Sequence, residues 1–313
     1  VLLKLQMYMG AEIVIATLST LGNLLVCAAV GLNKKLCTVT NYFLVSLAVA
    51  DMCVGALAIP CAILTAKGVP RHDLYLCLLM LSVLITLTQS SIFSLLAIAV
   101  ERYIAILLPL RYCMLMTPRS AILVILVTWV LAFLIGLVPL MGWHKKPPDS
   151  GYCLFVLVVD MNYMVYFNFF ACMLAPLVVM FIIYTQIFAT VKRQLRRIAA
   201  EGGAGDAKGQ AAQAAGANRE LKTATLLFLI QFLFAACWIP LHAINCFLLL
   251  CPGCPVPLEL LLAAIILSHA NSAINPFLYA YKMRTFRNTF KAILLCFRAQ
   301  GGEKEGGSTN HPS

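Results

Sequence analysis

Trp238, His242, Asn245, Ser268, His269, Asn271 and Asn275 stand within sequence that is otherwise apolar enough for a bilayer, the core reading SHANSAINPFLYAY. Polar groups at membrane depth are costly and mark ligand or ion sites. The chemistry these residue types offer is hydrogen bonding. An amide presents donors and an acceptor side by side, and a neutral imidazole presents one of each. Bond-breaking chemistry would need a nucleophile beside a base, or a metal cluster. His242 and His269 have no Cys or Asp at metal-motif spacing, so neither catalysis nor a catalytic cofactor is expected.

Other polar residues lie in apolar segments upstream. Glu12 sits in the outer turns of the first segment, near Gly22-Asn23 in its middle, and Asp51 closes LAVAD in the second. Asp51 has no Lys or Arg within its own span, so it should face water, a cation or other polar groups. The third segment carries Thr86, Thr88, Gln89, Ser90, Ser91 and Ser94 before Glu101-Arg102-Tyr103. Its Ser and Thr could simply bond their own helix backbone. Gln89 has no such easy outlet. Arg102 falls at the edge of the span, where its stem can snorkel.

The elements that position these groups follow from composition. The chain has 313 residues, 62% hydrophobic and 11% charged, with a mean hydropathy of +0.92. Soluble domains carry about 25% charged residues, so this is an integral membrane protein. About 20 apolar residues span a bilayer as a helix. Seven such segments are expected, near 8–32, 40–66, 74–107, 119–141, 161–190, 223–250 and 258–281. Of the 23 Lys and Arg, Lys4, Lys67, Arg71, Lys145 and Lys146 fall on one side and the remaining 18 on the other. The positive-inside rule then places the N-terminus outside and the C-terminus in the cytoplasm. The net charge of +11 is therefore a topology signal, and no nucleic-acid partner is expected. No signal peptide is expected before the first helix.

Residues 199–217, rich in Gly, Ala and Gln, read as a flexible third cytoplasmic loop, with the sixth helix starting near Arg219-Glu220. Pro240 should kink that helix. In 284–297, Phe286, Phe290, Ile293, Leu294 and Phe297 share one helical face and Arg284, Arg287 and Lys291 lie elsewhere. This is a short amphipathic eighth helix on the inner leaflet. Cys296 is a candidate lipidation site, and 298–313 reads as a disordered tail. The receptor domain is thus 1–297, an all-α seven-transmembrane bundle. Of the 13 Cys, only Cys77, Cys153, Cys251 and Cys254 sit at extracellular ends, where oxidation is favoured.

Gly22-Asn23, LAVAD, ERY, Trp129, Pro176, CWIP and NPFLY, one in each segment and in order, resemble rhodopsin-like G-protein-coupled receptors. CLF followed by MNYMVYFNFF, then CWIPLHAINCF, CPGC, LSHANS and NPFLYAY, are similar to adenosine receptors, and the likeness runs from Tyr8 to Phe297. The resemblance implies a plasma-membrane receptor for extracellular adenosine that signals through a heterotrimeric G protein to adenylate cyclase. The wording of QSSIFSLLAIAV and PLRY favours stimulatory (Gs) over inhibitory (Gi) coupling.

The resemblance also implies roles. Phe155 and Asn245 would hold adenine, and Thr88, Ser268 and His269 the ribose, with His242 and Gln89 as further polar contacts and Glu12 orienting His269. Leu84, Met164, Leu241 and Ile265 would form apolar walls over Trp238. Asp51, Ser91, Asn271 and Asn275 would hold an allosteric sodium ion. Glu101, Arg102, Tyr103, Glu220 and Tyr279 would form the G-protein switch. Cys77 would bridge to Cys153, and Cys251 to Cys254. There are departures: Val156 stands where adenosine receptors have Glu, Leu262 is a further apolar choice near the rim, and Glu101 replaces the usual Asp. Leu84 stands where amine receptors carry an acid, which argues against a cationic amine ligand. The competing readings are a receptor of this fold for another purine, an orphan ligand or a lipid, and a transporter. Neither internal repeats nor interrupted helix pairs support the last.

Overall fold

A computed structural model describes residues 2–146, 149–200 and 207–305. Seven of its helices are long and apolar enough to cross a membrane. They are α1 (Leu2–Leu32), α2 (Val39–Ala66), α3 (Leu74–Leu107), α4 (Pro118–Gly136), α5 (Tyr163–Ala200), α6 (Ala207–Leu250) and α7 (Leu258–Lys282). An eighth, α8 (Arg284–Glu305), follows after a single residue. Side chains start the helices where sequence provides them. Thr38 and Asp73 accept from the amides of Asn41 and Leu76, and Thr117 forms a reciprocal capping box with Ser120.

α3 is the central pillar. Of its apolar window 72% is buried, against 17% for α4, which mostly faces lipid. Trp129 Nε1 of α4 donates to Ser46 Oγ at 3.0 Å, and Ser46 pairs with Ser94 Oγ at 3.0 Å, so one polar chain ties α4, α2 and α3. The Cys77–Cys153 disulfide pins the loop after α4 to the head of α3, and Cys251–Cys254 closes a small ring before α7.

Two sequence features of α1 are explained by α7. Pro276 has no N–H, so the carbonyl four residues back, Ser272 O, loses its helical donor. Asn23 Nδ2 donates to that carbonyl at 2.8 Å. The Pro276 ring then lies against Gly22, where a Cβ would come within 3.0 Å of the ring. Gly55, in a π-helical turn of α2 over Val54–Ala58, allows a similarly close approach to α1.

Four stretches differ from expectation. The helix of α6 begins at Ala207, so 207–217 is helical rather than loop; Ala, Gln, Lys and Arg are strong helix formers and outweigh Gly209 and Gly216. Residues 201–206 lie outside the described residues. α5 likewise extends to Ala200 through KRQLRR. The tail stays helical to Glu305, as an extension of α8, and 306–313 lie outside the described residues. The expected fourth span ends at Gly136, with Val138–Met141 forming a separate turn. α8 is anchored as its pattern requires: Phe286 is fully buried, 5.5 Å from the Tyr279 ring, and Phe290 and Ile293 are buried beside it, whereas Leu294 is exposed.

A Cβ at position 55 would lie 2.6 Å from Ala16 O, whereas one at Gly10 meets nothing within 4 Å. Gly55→Leu is expected to cost about 1–3 kcal/mol by overpacking. The unfolding temperature of the detergent-solubilised protein should fall for Gly55→Leu and stay unchanged for Gly10→Leu.

Candidate functional site

Helical spacing brings the candidate residues onto shared faces. On α6, Trp238, Leu241, His242 and Asn245 follow the i, i+3, i+4, i+7 pattern; on α3, Leu84, Thr88 and Ser91 do; on α7, Ile265, Ser268 and His269 do. Asn245 lies about 10 Å along the axis from Trp238 at 1.5 Å per residue. The α6 face is aromatic at its base. His242 lies 6.1 Å from the Trp238 ring and stacks on Phe169 of α5 at 4.6 Å with the planes 11° apart. Leu84 and Leu241 pack against the apolar cluster that contains Trp238. Phe155, on a short helix in the loop after α4, packs in a separate cluster with Met164, Tyr163 and the Cys77–Cys153 bridge.

The polar atoms of this region fall into two groups. Some already have protein partners. Thr88 Oγ1 donates to Leu84 O at 2.8 Å and Ser268 Oγ to Ile265 O at 2.7 Å, so these hydroxyls keep only acceptor capacity for anything else. His269 Nδ1 lies 2.8 Å from Glu12 Oε2 and 2.9 Å from Oε1, with both side chains fully buried. That contact joins α7 to α1 and leaves His269 Nε2 without a partner. Other atoms have none: both ring nitrogens of His242 and both amide atoms of Gln89. Asn245 is 3% exposed and its side chain makes no hydrogen bond among the described residues. An unpartnered buried polar group costs roughly 1–3 kcal/mol, so this set is disposed to receive a polar ligand.

One level deeper, Asp51 is fully buried. Asn275 Nδ2 donates to its Oδ2 at 2.8 Å, Ser91 Oγ approaches Oδ1 at 3.4 Å, and Ser19 Oγ donates to its backbone carbonyl at 2.6 Å. No Lys, Arg or His pairs with it among the described residues. Asn271, 3% exposed, makes no hydrogen bond among the described residues. Asn271 stands one helical turn from Asn275 on the same face of α7, so a carboxylate, a hydroxyl and two amide side chains fall on neighbouring helix faces.

At the opposite end, Glu101 is saturated. It accepts from Arg102 Nη2 at 2.6 Å and Nε at 2.7 Å, from Tyr112 Oη at 2.6 Å and from Thr40 Oγ1 at 3.0 Å. Arg102 also reaches Glu220 of α6, at 3.4 Å. Burial, then the bond to Glu101, pushes the Tyr112 hydroxyl up to about 12, so it remains a donor at neutral pH. Tyr103 is half-buried, and the Tyr279 hydroxyl is buried without a hydrogen-bond partner among the described residues.

A family model described as 7 transmembrane receptor (rhodopsin family) matches residues 22–279. Adenosine receptor A2a of Homo sapiens is 48% identical over 305 residues, which is 92% of this chain and 72% of that receptor. Adenosine receptor A2b of Homo sapiens is 48% identical over 307 residues, 92% of this chain and 90% of that receptor. The Mus musculus A2b receptor is 45% identical over 321 residues. The chain belongs to the adenosine receptors of the rhodopsin family. It is therefore a receptor and not an enzyme.

Within this adenosine-receptor chain, Val156 and Leu262 need placing. Val156 is 36% exposed, and its carbonyl accepts from Lys145 Nζ at 2.9 Å; Leu262 is buried in α7. Sequence reasoning missed Phe169, Tyr112 and Thr40. Phe169 sits in the uniformly apolar run FNFF, and nothing local marks it as the ring under His242. Tyr112 belongs to the noted PLRY run, but only the short helix Pro109–Leu115 turns it back onto Glu101.

The geometry ranks the two carboxylates on Arg102. Glu101 is fully buried and bidentate, while Glu220 is 43% exposed and holds one longer contact. Glu101→Ala should cost about 3–5 kcal/mol by leaving the largely buried Arg102 with only its one longer contact, and Glu220→Ala about 0–1 kcal/mol. Unfolding temperatures in detergent should fall in that order. Equal falls would overturn the ranking.

Proposed function

We propose that this chain is the plasma-membrane receptor for extracellular adenosine that its likeness to receptors of that name suggests, with the N-terminus outside and the G protein on the Arg102 side. The observation that carries the reading is the set of buried polar atoms without protein partners on α3, α6 and α7. Asn245 offers the amide pair that can bind adenine through N6 and N7. Phe155 offers a ring face, and base stacking on an aromatic side chain contributes about 1–3 kcal/mol. His269, steered by Glu12 through Nδ1, presents Nε2 to a ribose hydroxyl. Thr88 and Ser268 present lone pairs there, Gln89 and His242 supply further polar contacts, and Leu84, Met164, Leu241 and Ile265 supply apolar walls above Trp238.

Signalling is allosteric: agonist must bind the active arrangement more tightly than the resting one. Asp51, Ser91, Asn271 and Asn275 would hold sodium in the resting state, where the ion neutralises the buried carboxylate. On the cytoplasmic side, the resting state keeps Arg102 between Glu101 and Glu220. Release of the weaker Glu220 contact frees α6 to swing and opens a cleft for the G protein, with Tyr103 and Tyr279 beside it. Coupling is to Gs, as the nearness to A2a and A2b sequences favours, and Cys296 carries a lipid anchor on α8. The receptor domain is 1–297.

Adenosine should raise cyclic AMP in cells expressing the chain. Loss of a bidentate base contact corresponds to about 1–3 kcal/mol, so Asn245→Ala should shift the response roughly 5- to 150-fold to higher concentration. A mutant-sensitive fall after forskolin would move the coupling to Gi. Silence from a surface-expressed wild type would turn attention to Val156 and to another purine or a lipid ligand. Sodium should weaken agonist binding in membranes, and Asp51→Asn should abolish that dependence. A sodium effect that survives in Asp51→Asn would remove the ion from this site.

A further inference from the structure

A cavity of about 780 Å³ lies at the cytoplasmic end, between the turn Lys34–Leu36 that follows α1 and the outer face of α8. Among the described residues none of its walls is acidic. Lys34, Lys35 and Arg284 line it, and none of the three pairs with a carboxylate among the described residues. Leu32, Ala292 and Ile293 give it an apolar wall. The two sides are clipped together by Asn33, whose Nδ2 donates to Thr289 Oγ1 at 2.8 Å and whose Oδ1 accepts from Lys35 N at 3.0 Å. The Asn33 clip thus holds the Lys34–Lys35 turn against α8 and keeps the three cations on one cavity.

We propose that this cavity binds one anionic phospholipid of the inner leaflet, its phosphate on Lys34, Lys35 and Arg284 and the start of its acyl chains against Leu32, Ala292 and Ile293. Charge selects the occupant. Three unpaired cations on one cavity attract an anion, and anionic lipids concentrate on the cytoplasmic leaflet. The adjoining apolar wall distinguishes an amphiphile from a free phosphate. α8 packs on the bundle through Phe286 and Phe290 and leaves Leu294 and Leu295 exposed for the leaflet, so a bound lipid would brace α8 against α1 and the turn beyond it. The site is separate from the adenosine pocket, and it rests on the orientation proposed above only for the leaflet that supplies the lipid.

The test titrates the detergent-purified full chain with fluorescent phosphatidylserine, which makes it independent of orientation and of agonist. Each basic residue near a membrane surface contributes about fivefold to binding an anionic lipid. The triple variant Lys34→Gln, Lys35→Gln, Arg284→Gln should therefore bind about a hundredfold more weakly. Ala292→Trp, which fills the cavity and keeps every charge, should also weaken binding, and it decides the matter if the triple variant does not fold. Arg193→Gln, Arg196→Gln, Arg197→Gln on α5 should bind like wild type. Wild-type affinity in both cavity variants overturns the site. Equal binding of phosphatidylcholine, or displacement by an equal concentration of inorganic phosphate, overturns the anionic-lipid assignment.

Discussion

An ionisable side chain in hydrocarbon has no water to lean on, so its neighbours must hold it, and Asp51 is held by three other helices, two on its carboxylate and one on its backbone carbonyl. Ser19 of α1, Ser91 of α3 and Asn275 of α7 converge on one residue of α2. The Asn23 bond to the carbonyl freed by Pro276 sits beside this knot and closes α1 onto α7. Because each of these bonds crosses between helices, the knot sets their mutual height and rotation. The faces that carry His242 and Asn245 at one end and the Arg102 cluster at the other are aimed by that setting. The absence of a cationic partner leaves a net demand for positive charge at the centre of the bundle.

The two ends of the bundle are built on opposite principles. At the Arg102 end the ion cluster is saturated: Glu101 alone accepts four hydrogen bonds. At the other end His242, Gln89 and one nitrogen of His269 are buried without hydrogen-bond partners among the described residues. A saturated end resists change, whereas an unsaturated one gains from a ligand that completes it. α6 joins the two, with Trp238 and His242 in its outer half and Glu220 about 27 Å away along its axis at the standard helical rise. Pro240 leaves the carbonyl of Ala236 without its helical donor, which weakens the rod at that level. A ligand that draws on His242 and Asn245 acts on the same helix that carries the weaker of the two Arg102 partners.

The sequence by itself determined the membrane spans, their order and the family. Hydropathy over some 20 residues reports the bilayer directly, and a motif in each of seven segments leaves little freedom for another topology. It also placed the ionisable residues at depth, because a charge among apolar neighbours is visible without knowing the fold. It read 199–217, from its Gly, Ala and Gln, as a flexible loop, whereas 207–217 is helical.

Tertiary structure decided how the polar atoms are shared. Sequence could not divide Arg102 between Glu101 and Glu220, because that depends on burial and on distances of 2.6 and 3.4 Å set by helix placement. Nor could it tell that Thr88 and Ser268 bond their own helices while the Asn245 side chain has no hydrogen bond among the described residues, that Phe169 underlies His242, or that Asn33 clips the turn after α1 to α8. The physical reason is range. Hydrophobic transfer is a sum over residues and survives without coordinates, whereas a hydrogen bond depends on a few tenths of an ångström and on an angle, which only the packed bundle supplies.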